Sequence, residues 1–163
     1  MTQLKDILYK VKLLSVHGAT DIDINAIQFD SRKVEEGNIF IAVRGTQVDG
    51  HNFIDKATAS GAKVIVCEDM PAELNEGLTY IQTDNSARAL GIMASNFYGN
   101  PSSKLKLVAV TGTNGKTTTV TLLYKLFREL GYNVGLLSTV QNQINESVIE
   151  ATHTTPDAIQ LNQ

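Results

Sequence analysis

The chain has 163 residues, of which 42% are hydrophobic and 19% are charged, and its formal net charge is −3. This composition is typical of a globular protein and gives no general attraction to nucleic acid or to anionic membranes. The single cysteine, Cys67, excludes an internal disulfide, and no apolar run approaches the roughly 18 residues of a membrane helix. We therefore expect a cytoplasmic protein with a buried, reduced thiol, no nucleic-acid partner and no membrane insertion.

Helical and strand patterns alternate through the first hundred residues. The chain begins with a helical pattern over residues 2–11, in which Thr2 is a candidate cap. Apolar runs and alternating patterns then predict strands over residues 21–32, 38–43, 63–68 and 78–84, and apolar residues at helical spacing predict helices over residues 49–60 and 85–99. This order predicts a small mixed α/β domain.

A breaker-rich segment, "GNPSSK" at residues 99–104, follows this domain. We therefore predict two domains, residues 1–101 and residues 102–163. The second pattern reads as a strand over residues 105–110, a helix from Lys116 to Leu130 and a strand over residues 133–139, which together predict a right-handed βαβ unit of a parallel sheet. A hairpin turning at Asn145–Glu146 and the start of a helix at Pro156 complete the chain.

The segment "TGTNGKTTT" at residues 111–119 carries the strongest chemical signal. Gly112 and Gly115 let backbone amides approach a polyphosphate, and the start of the following helix adds its positive dipole end. Lys116 can reach the terminal phosphates, and Thr117 can ligate Mg²⁺. The predicted ATP-binding residues are Gly112, Thr113, Asn114, Gly115, Lys116, Thr117 and Thr118, with Lys116 also catalytic. The alternative is a chance strand–turn–helix with a surface lysine, and Val110 stands where the common phosphate-loop pattern has glycine.

The short loop "GTNGKTTT" resembles the ATP loop of the Mur ligase family, a family that also includes folylpolyglutamate synthases. The stretch "FDSRKVEEGNIFIAVRGTQVDGHNFIDKA", residues 29–57, looks like the uridine-nucleotide-binding domain of two members of that family, those that add the third residue and the terminal dipeptide of the muramyl peptide. The folate enzymes lack such a domain. The loop and "THTTPDAIQLN", residues 152–162, look most like the branch that adds the third residue of the muramyl peptide. The resemblance covers essentially the whole chain and implies a uridine-nucleotide domain followed by the start of a phosphate-loop ATP domain.

The resemblance implies an ATP-dependent amide-forming ligase of peptidoglycan precursor synthesis. Its cofactors would be ATP and Mg²⁺, and its substrates UDP-N-acetylmuramoyl-L-alanyl-D-glutamate and a diamino acid, either meso-diaminopimelate or L-lysine. The nucleotide would phosphorylate the free D-glutamyl carboxylate, and the amine would attack the acyl phosphate. Two alternatives stay open: the dipeptide-adding member of the family, and a module that binds a UDP-sugar or ATP without chemistry.

Residues for the uridine nucleotide follow from the same resemblance. It assigns Phe29, Ser31 and the run Thr46, Gln47 and Val48 to this substrate. For Phe29 and Ser31, the alternative is an Asp–Ser turn in which Asp30 caps local backbone amides. Asp49-Gly50-His51 also matches the family, and we interpret it as a turn followed by the opening of a helix.

The last part of the substrate site is predicted near the end of the chain. The resemblance assigns His153, Thr154 and Thr155 to the muramyl peptide, while the residues alone indicate a helix cap at Thr155 followed by Pro156. The second domain has too few strands for a complete parallel sheet. We therefore expect the chain to be part of a longer ligase and to be inactive by itself.

Overall fold

The computed structural model describes residues 2–45, 48–149 and 156–163. The chain divides into two compact units, Met1–Lys104 with Asn162–Gln163, and Leu105–Leu161. The division therefore falls at the end of the breaker-rich segment, where a short 3₁₀ turn over Pro101–Lys104 follows Gly99 and Asn100, both with positive φ.

Short strands and helices alternate in the first unit. Its strands are β1 (Thr2–Gln3), β2 (Leu13–His17), β3 (Asp23–Ile24), β4 (Ile27–Gln28), β5 (Ile39–Ile41), β6 (Val64–Cys67) and β7 (Thr79–Thr83). Its helices are α1 (Leu4–Ile7), α2 (Ile54–Ala59) and α3 (Ser86–Phe97), with 3₁₀ turns at Ser31–Lys33 and Gly50–Phe53. The α/β fold class predicted from the sequence is confirmed.

A five-stranded sheet in the order β2-β7-β6-β5-β4 organises this unit. Strands β4, β5, β6 and β7 are parallel neighbours, and β2 runs antiparallel to β7 at one edge. Parallel strands need crossover connections, which here run through the turns and α2. The carboxyl ends of four consecutive strands consequently lie at the same edge of the sheet.

The sheet is buried on both faces at its centre. Every residue of β5 and β6 is buried, as expected for parallel strands covered by helices. On one face, Phe40 and Ile65 pack in a cluster with Ile54 and Ala57 of α2. The residues that alternate with these face the other side. Helices α1 and α3 contact each other, and α3 also contacts β4.

Helix α3 begins and is anchored through asparagine side chains. Asn85 is its N-cap, with Oδ1 accepting a hydrogen bond from the amide of Arg88 at 2.7 Å. Asn96, near its end, donates from Nδ2 to the carbonyls of Ile7 and Tyr9, which ties the end of α1 to α3. Neither α3 nor any other helix in the described ranges is long and apolar enough to cross a membrane.

Three sequence predictions for the first unit are wrong in detail. The pattern that begins at Asp21 predicts one strand, but the chain forms two short strands there, β3 and β4, which belong to different sheets. Thr2 does not cap α1 but pairs with Ile24 in the small β1–β3 ladder. Strand β2, with the sequence "LLSVH", was not predicted. Four of its five residues are exposed, because it is an edge strand, so it lacks a clear apolar alternation.

The second unit contains α4 (Lys116–Glu129) and an antiparallel sheet in the order β10-β9-β8. Its strands are β8 (Gly135–Leu137), β9 (Asn142–Ile144) and β10 (Ser147–Ile149). The predicted hairpin is confirmed: β9 pairs with β10, and Asn145 has φ of 51° at the turn. Helix α5 (Ala158–Asn162) lies at the end of the chain.

The predicted strand over residues 105–110, and with it the βαβ unit, is not formed. Residues 106–110 have no regular secondary structure, and β8 pairs antiparallel with β9 instead. A strand is held by hydrogen bonds to a neighbour, and no described strand pairs with this segment. Its apolar side chains are consequently uncovered, with Leu107 73% exposed.

Polar contacts rather than a large core hold the second unit. Helix α4 has no buried residue, while Leu136 and Asn142 of the sheet are buried. Tyr124 of α4 donates to the carbonyl of Asn145. Arg128 donates to the Asn145 side chain at 3.1 Å, and this side chain also accepts from the amide of Val134 at 3.0 Å. The second unit therefore buries much less apolar surface than the first.

We predict that the two units differ in resistance to local opening. Backbone amides of β5 and β6 should exchange with solvent at least about 100-fold more slowly than those of α4, because opening the buried sheet exposes more apolar surface. Hydrogen–deuterium exchange of the 163-residue chain, read residue by residue by NMR, measures this ratio. Equal protection of α4 and β6 would contradict the prediction.

Candidate functional site

The loops after four parallel strands meet at one edge of the first sheet. Phe29 and Ser31 follow β4, the segment Arg44–Asp49 follows β5, Glu68 follows β6, and Ser86 follows β7. Ligands of open α/β sheets bind outside the carboxyl ends of the strands. The fold therefore brings the loops that contain the predicted uridine-nucleotide residues to a common edge.

A capped turn fixes the chain after β4. Asp30 accepts from the amide of Arg32 at 3.0 Å and forms a two-pronged ion pair with its guanidinium. The hydrogen bond from the Arg32 side chain lowers the pKa of Asp30 to about 2. The turn-cap alternative is thus correct for Asp30. Phe29 is partly exposed, while Ser31 is buried with 7% of its surface accessible, and their part in ligand binding stays a prediction.

The described residues on the two sides of the loop after β5 pair with each other. Arg44 and Asp49 form an antiparallel bridge, and the amide of Gly45 donates to the carbonyl of Val48 at 3.0 Å. A Cβ at Gly45 would lie 2.7 Å from this carbonyl, so the residue must be glycine. Val48 is 58% exposed. The other two predicted contacts, Thr46 and Gln47, lie outside the described residues.

Arg44 is surrounded by carboxylates. Its guanidinium lies 3.5 Å from Asp49 and 3.5 Å from Glu68, and it forms a close ion pair with Asp69. One positive charge thus faces three negative charges. This cluster has no excess positive charge with which to attract a diphosphate.

His51 connects the loop after β5 with the end of β6. Its Nδ1 lies 2.6 Å from Asp49, and its Nε2 accepts from the amide of Glu68 at 2.9 Å, with the amide of Asp69 at 3.3 Å. The backbone amide of His51 also donates to Asp49, and this hydrogen bond is the main cause that lowers the pKa of Asp49. The predicted structural interpretation of Asp49-Gly50-His51 agrees with a 3₁₀ turn over Gly50–Phe53 that Asp49 caps.

Glu68 connects the end of β6 with the start of α3. Its carboxylate accepts from both the amide and the hydroxyl of Ser86 at 2.8 Å. The hydrogen bond from the Ser86 amide is the main cause that lowers the pKa of Glu68. Sequence reasoning missed both residues. The available signal was their position, at the end of one predicted strand and just after another, because such positions share one edge of a parallel sheet.

Cys67 precedes Glu68 but is not one of the polar side chains that connect the strand ends at this edge. Its side chain is buried, as predicted. Burial raises the pKa of the thiol to about 11. The residue therefore has little thiolate at neutral pH and behaves as a small core side chain.

The glycine-rich loop of the second unit has the backbone shape that the sequence predicts. Gly112 and Gly115 have φ of 145° and 78°, and Gly115 is the N-cap of α4 in the left-handed conformation. A Cβ at Gly115 would meet no atom within 4 Å, so the backbone conformation rather than crowding requires glycine. The loop face is open, and the first-turn amides of α4 have no intrahelical partner.

Lys116 and Thr117 are the first two residues of α4. The Lys116 ammonium donates to the carbonyl of Gly112 and to that of Thr113 at 3.3 Å, so its charge lies on the loop. Within the described ranges, no group of three or more His, Cys, Asp or Glu side chains could hold a metal ion. The predicted role of the Thr117 hydroxyl therefore stays a prediction that requires further oxygen ligands.

The predicted muramyl-peptide residues His153, Thr154 and Thr155 lie outside the described residues. The structure places the N-terminal cap of α5 at Asp157, whose carboxylate accepts from the amides of Ile159 and Gln160 at 2.9 Å. The sequence predicts that this helix begins at Pro156, whereas in the structure it begins at Ala158.

Two family profiles match the chain over most of its length. One, described as "Mur ligase family, catalytic domain", matches residues 23–98, and the other, "Mur ligase middle domain", matches residues 110–163. The chain belongs to the Mur ligase family. The two matched ranges contain the strand-end loops of the first unit and the glycine-rich loop of the second, respectively.

Relatives within the Mur ligase family are named as diaminopimelate ligases. The chain is 64% identical over 162 residues to UDP-N-acetylmuramoyl-L-alanyl-D-glutamate--2,6-diaminopimelate ligase of Cytophaga hutchinsonii, and 55% identical over 161 residues to that of Bacteroides fragilis. Both alignments cover 99% of the chain. The chain spans about a third of the length of these relatives, since each alignment covers 33% of the relative.

Solved structures of Mur ligases have the same fold. A UDP-N-acetylmuramoyl-L-alanyl-D-glutamate--2,6-diaminopimelate ligase matches with a TM-score of 0.72 and 26% identity, covering 99% of this chain and 32% of that one. MurF of Acinetobacter baumannii matches with a TM-score of 0.60 and 26% identity, covering 78% of this chain and 28% of that one.

We predict that Glu68 makes the first unit of this Mur ligase chain less stable in acid. The folded state lowers the pKa of Glu68 below its ordinary value of 4.5, so its stabilisation is present above that pH and is lost as the pH falls through the folded value. Glu68→Gln should reduce the free energy of unfolding by about 1 kcal/mol at pH 7 and by less at pH 3.5. Urea unfolding followed through the amide signals of β5 and β6 measures both values.

Glu73→Gln, a change at an exposed glutamate, serves as the matched control and should have no such effect at either pH. A Glu68→Gln effect that is equally large at pH 3.5 would contradict the assignment to the ionised carboxylate.

Proposed function

We propose that the chain supplies nucleotide-binding parts of an ATP-dependent ligase that joins diaminopimelate to UDP-N-acetylmuramoyl-L-alanyl-D-glutamate. The observation that carries this proposal is the 64% identity over 162 residues to a ligase named for this reaction. Identity of this size across both units supports the same substrates rather than only the same fold. Because ATP and UDP-sugars are cytoplasmic nucleotides, we place the parent ligase in the cytoplasm.

The alternative functions receive less support. The structures of MurF, the dipeptide-adding ligase, from Acinetobacter baumannii are 26% identical and cover 78% of the chain, against 99% coverage for the diaminopimelate ligase structure at the same identity. A module without chemistry is not favoured, since the relatives described above are all named as ligases. Their names also favour diaminopimelate over lysine as the incoming amino acid.

The glycine-rich loop is the proposed ATP site. Gly112 and Gly115 have positive φ, a conformation that residues with a side chain adopt only with strain. With no side chain in the way, a polyphosphate can approach the loop backbone and the first-turn amides of α4, which begins at Lys116. In this proposal, Thr113, Asn114 and Thr118 contribute loop amides and a first-turn hydroxyl. Thr117 offers its hydroxyl to Mg²⁺, together with ligands from elsewhere in the parent ligase.

Lys116 is the proposed catalytic residue of this loop. Bound ATP would supply the phosphoryl group that activates the D-glutamyl carboxylate. The Lys116 ammonium now lies on carbonyls of Gly112 and Thr113 and would exchange them for phosphate oxygens. A positive charge placed there offsets negative charge that develops during phosphoryl transfer.

The edge of the first sheet is the proposed uridine-nucleotide site. Phe29 is partly exposed for contact with the base, and Val48 is exposed on the neighbouring loop. Ser31 lies in the turn after β4. Thr46 and Gln47 complete the proposed contacts, and His153, Thr154 and Thr155 are proposed for the muramyl peptide from the sequence alone.

The first test concerns ATP. In the full-length ligase, Lys116→Ala should lower kcat by about 10²–10³-fold, since the removed charge acts on the transferring phosphoryl group. Lys125→Ala, an exposed lysine later on α4, is the matched control and should retain normal turnover. Steady-state release of ADP measures both, and near-normal turnover of Lys116→Ala would refute the loop assignment.

The second test concerns the uridine nucleotide. Titration of UDP into the ¹⁵N-labelled 163-residue chain should shift the amide signals of Phe29, Ser31 and Val48. These residues share one sheet edge, so a ligand seated there changes their surroundings together. Shifts confined to residues 112–118 would place the ligand in the other unit.

A further inference from the structure

We propose that His51 is a positioning residue of the uridine-nucleotide site. It would fix the loop Arg44–Asp49 against the end of β6 without touching the ligand. This inference rests on the proposed function, because it takes the sheet edge as the uridine-nucleotide site. Nothing in the proposed ATP loop depends on it.

The hydrogen bonds of His51 determine its tautomer. A backbone amide can only donate, so Nε2, which receives the amide of Glu68 at 2.9 Å, must be an acceptor. The proton is therefore on Nδ1, which donates to Asp49 at 2.6 Å. Both ring nitrogens are used, and the side chain is only 12% exposed. The ring thus forms an uncharged connection between the two strand ends.

The hydrogen bonds of His51 hold Asp49, which lies next to Val48 at the base of the loop after β5. Asp49 pairs with Arg44 across the loop, and Val48 accepts the amide of Gly45. Gly50 is packed against the end of β5, where an added Cβ would lie 2.7 Å from the backbone nitrogen and oxygen of Val43. Displacement of Asp49 would therefore move Val48, its immediate neighbour in the chain.

Further contacts tie the same base to the start of α3. The amide of Arg44 donates to the Ser86 hydroxyl at 3.4 Å, and Ser86 donates to Glu68. The ends of β5, β6 and β7 are thus linked through one polar network. Within this network, Nε2 of His51 accepts from the two backbone amides that follow β6, those of Glu68 and Asp69.

The charges of this network argue against direct contact with the ligand. Three carboxylates surround the Arg44 guanidinium, and His51 is uncharged in the tautomer that its contacts require. A cluster with excess negative charge repels a diphosphate. The network is therefore suited to hold the loop and not to bind phosphate.

A matched pair of substitutions in the 163-residue chain tests the proposal. His51→Gln can place its Oε1 near the position of Nε2 and keep the tie to Glu68, whereas the shorter His51→Asn keeps only the bond to Asp49. We expect His51→Asn to weaken UDP binding about tenfold and His51→Gln by less than threefold. UDP titration followed by NMR gives both dissociation constants. Lys12→Ala, which removes the exposed Lys12–Asp84 ion pair, should bind like the unsubstituted chain.

Each outcome decides the proposal. Equal UDP affinity of His51→Asn and the unsubstituted chain would overturn the positioning role and leave the proposed function intact. Loss of slowly exchanging β5 and β6 amides in His51→Asn would also overturn it, because His51 would then support the fold as a whole. If the unsubstituted chain gives no shifts at the sheet edge, the proposed uridine-nucleotide site itself is wrong, and this inference fails with it.

Discussion

The parallel pairing of β4, β5, β6 and β7 is the constraint on which the first candidate site depends. Because the strands run in the same direction, each following loop must leave from the same edge. The full burial of β5 and β6 fixes their register, since a slip of one residue would turn each side chain to the opposite face. Residues far apart in the chain, such as Ser31 and Ser86, are thereby held at one edge.

The parallel pairing also brings three carboxylates together at this edge, and the polar network compensates their mutual repulsion. Asp49, Glu68 and Asp69 follow neighbouring strands and would repel one another at this edge. Arg44 pairs with all three, and backbone amides at Ser86 and His51 stabilise two of them, as their lowered pKa values reflect. Ionised carboxylates can therefore act as fixed acceptors for backbone donors, which orders the loops without a ligand.

The sequence predicts the buried strands of this fold and misses the exposed edge strand β2. Strands β5 and β6 are short apolar runs that tertiary packing covers, and four of the five residues of β7 are buried, so local pattern and structure agree. Strand β2 lies at an edge and has no clear apolar face, and the run 105–110 is apolar but has no described neighbour. Apolarity predicts that a segment can be buried, whereas strand formation also requires a hydrogen-bonding partner.

The two candidate sites differ in how far the sequence can specify them. The glycine-rich loop is local, because positive φ at Gly112 and Gly115 and the start of α4 at Lys116 follow from neighbouring residues. The sheet edge is not local, because His51 acquires its role from Glu68, 17 residues further along. The local sequence around His51 correctly indicates a capped turn. It does not indicate that Nε2 of His51 accepts from the backbone amide of Glu68. A motif can therefore describe the backbone fully and still leave the function of its side chain to the three-dimensional fold.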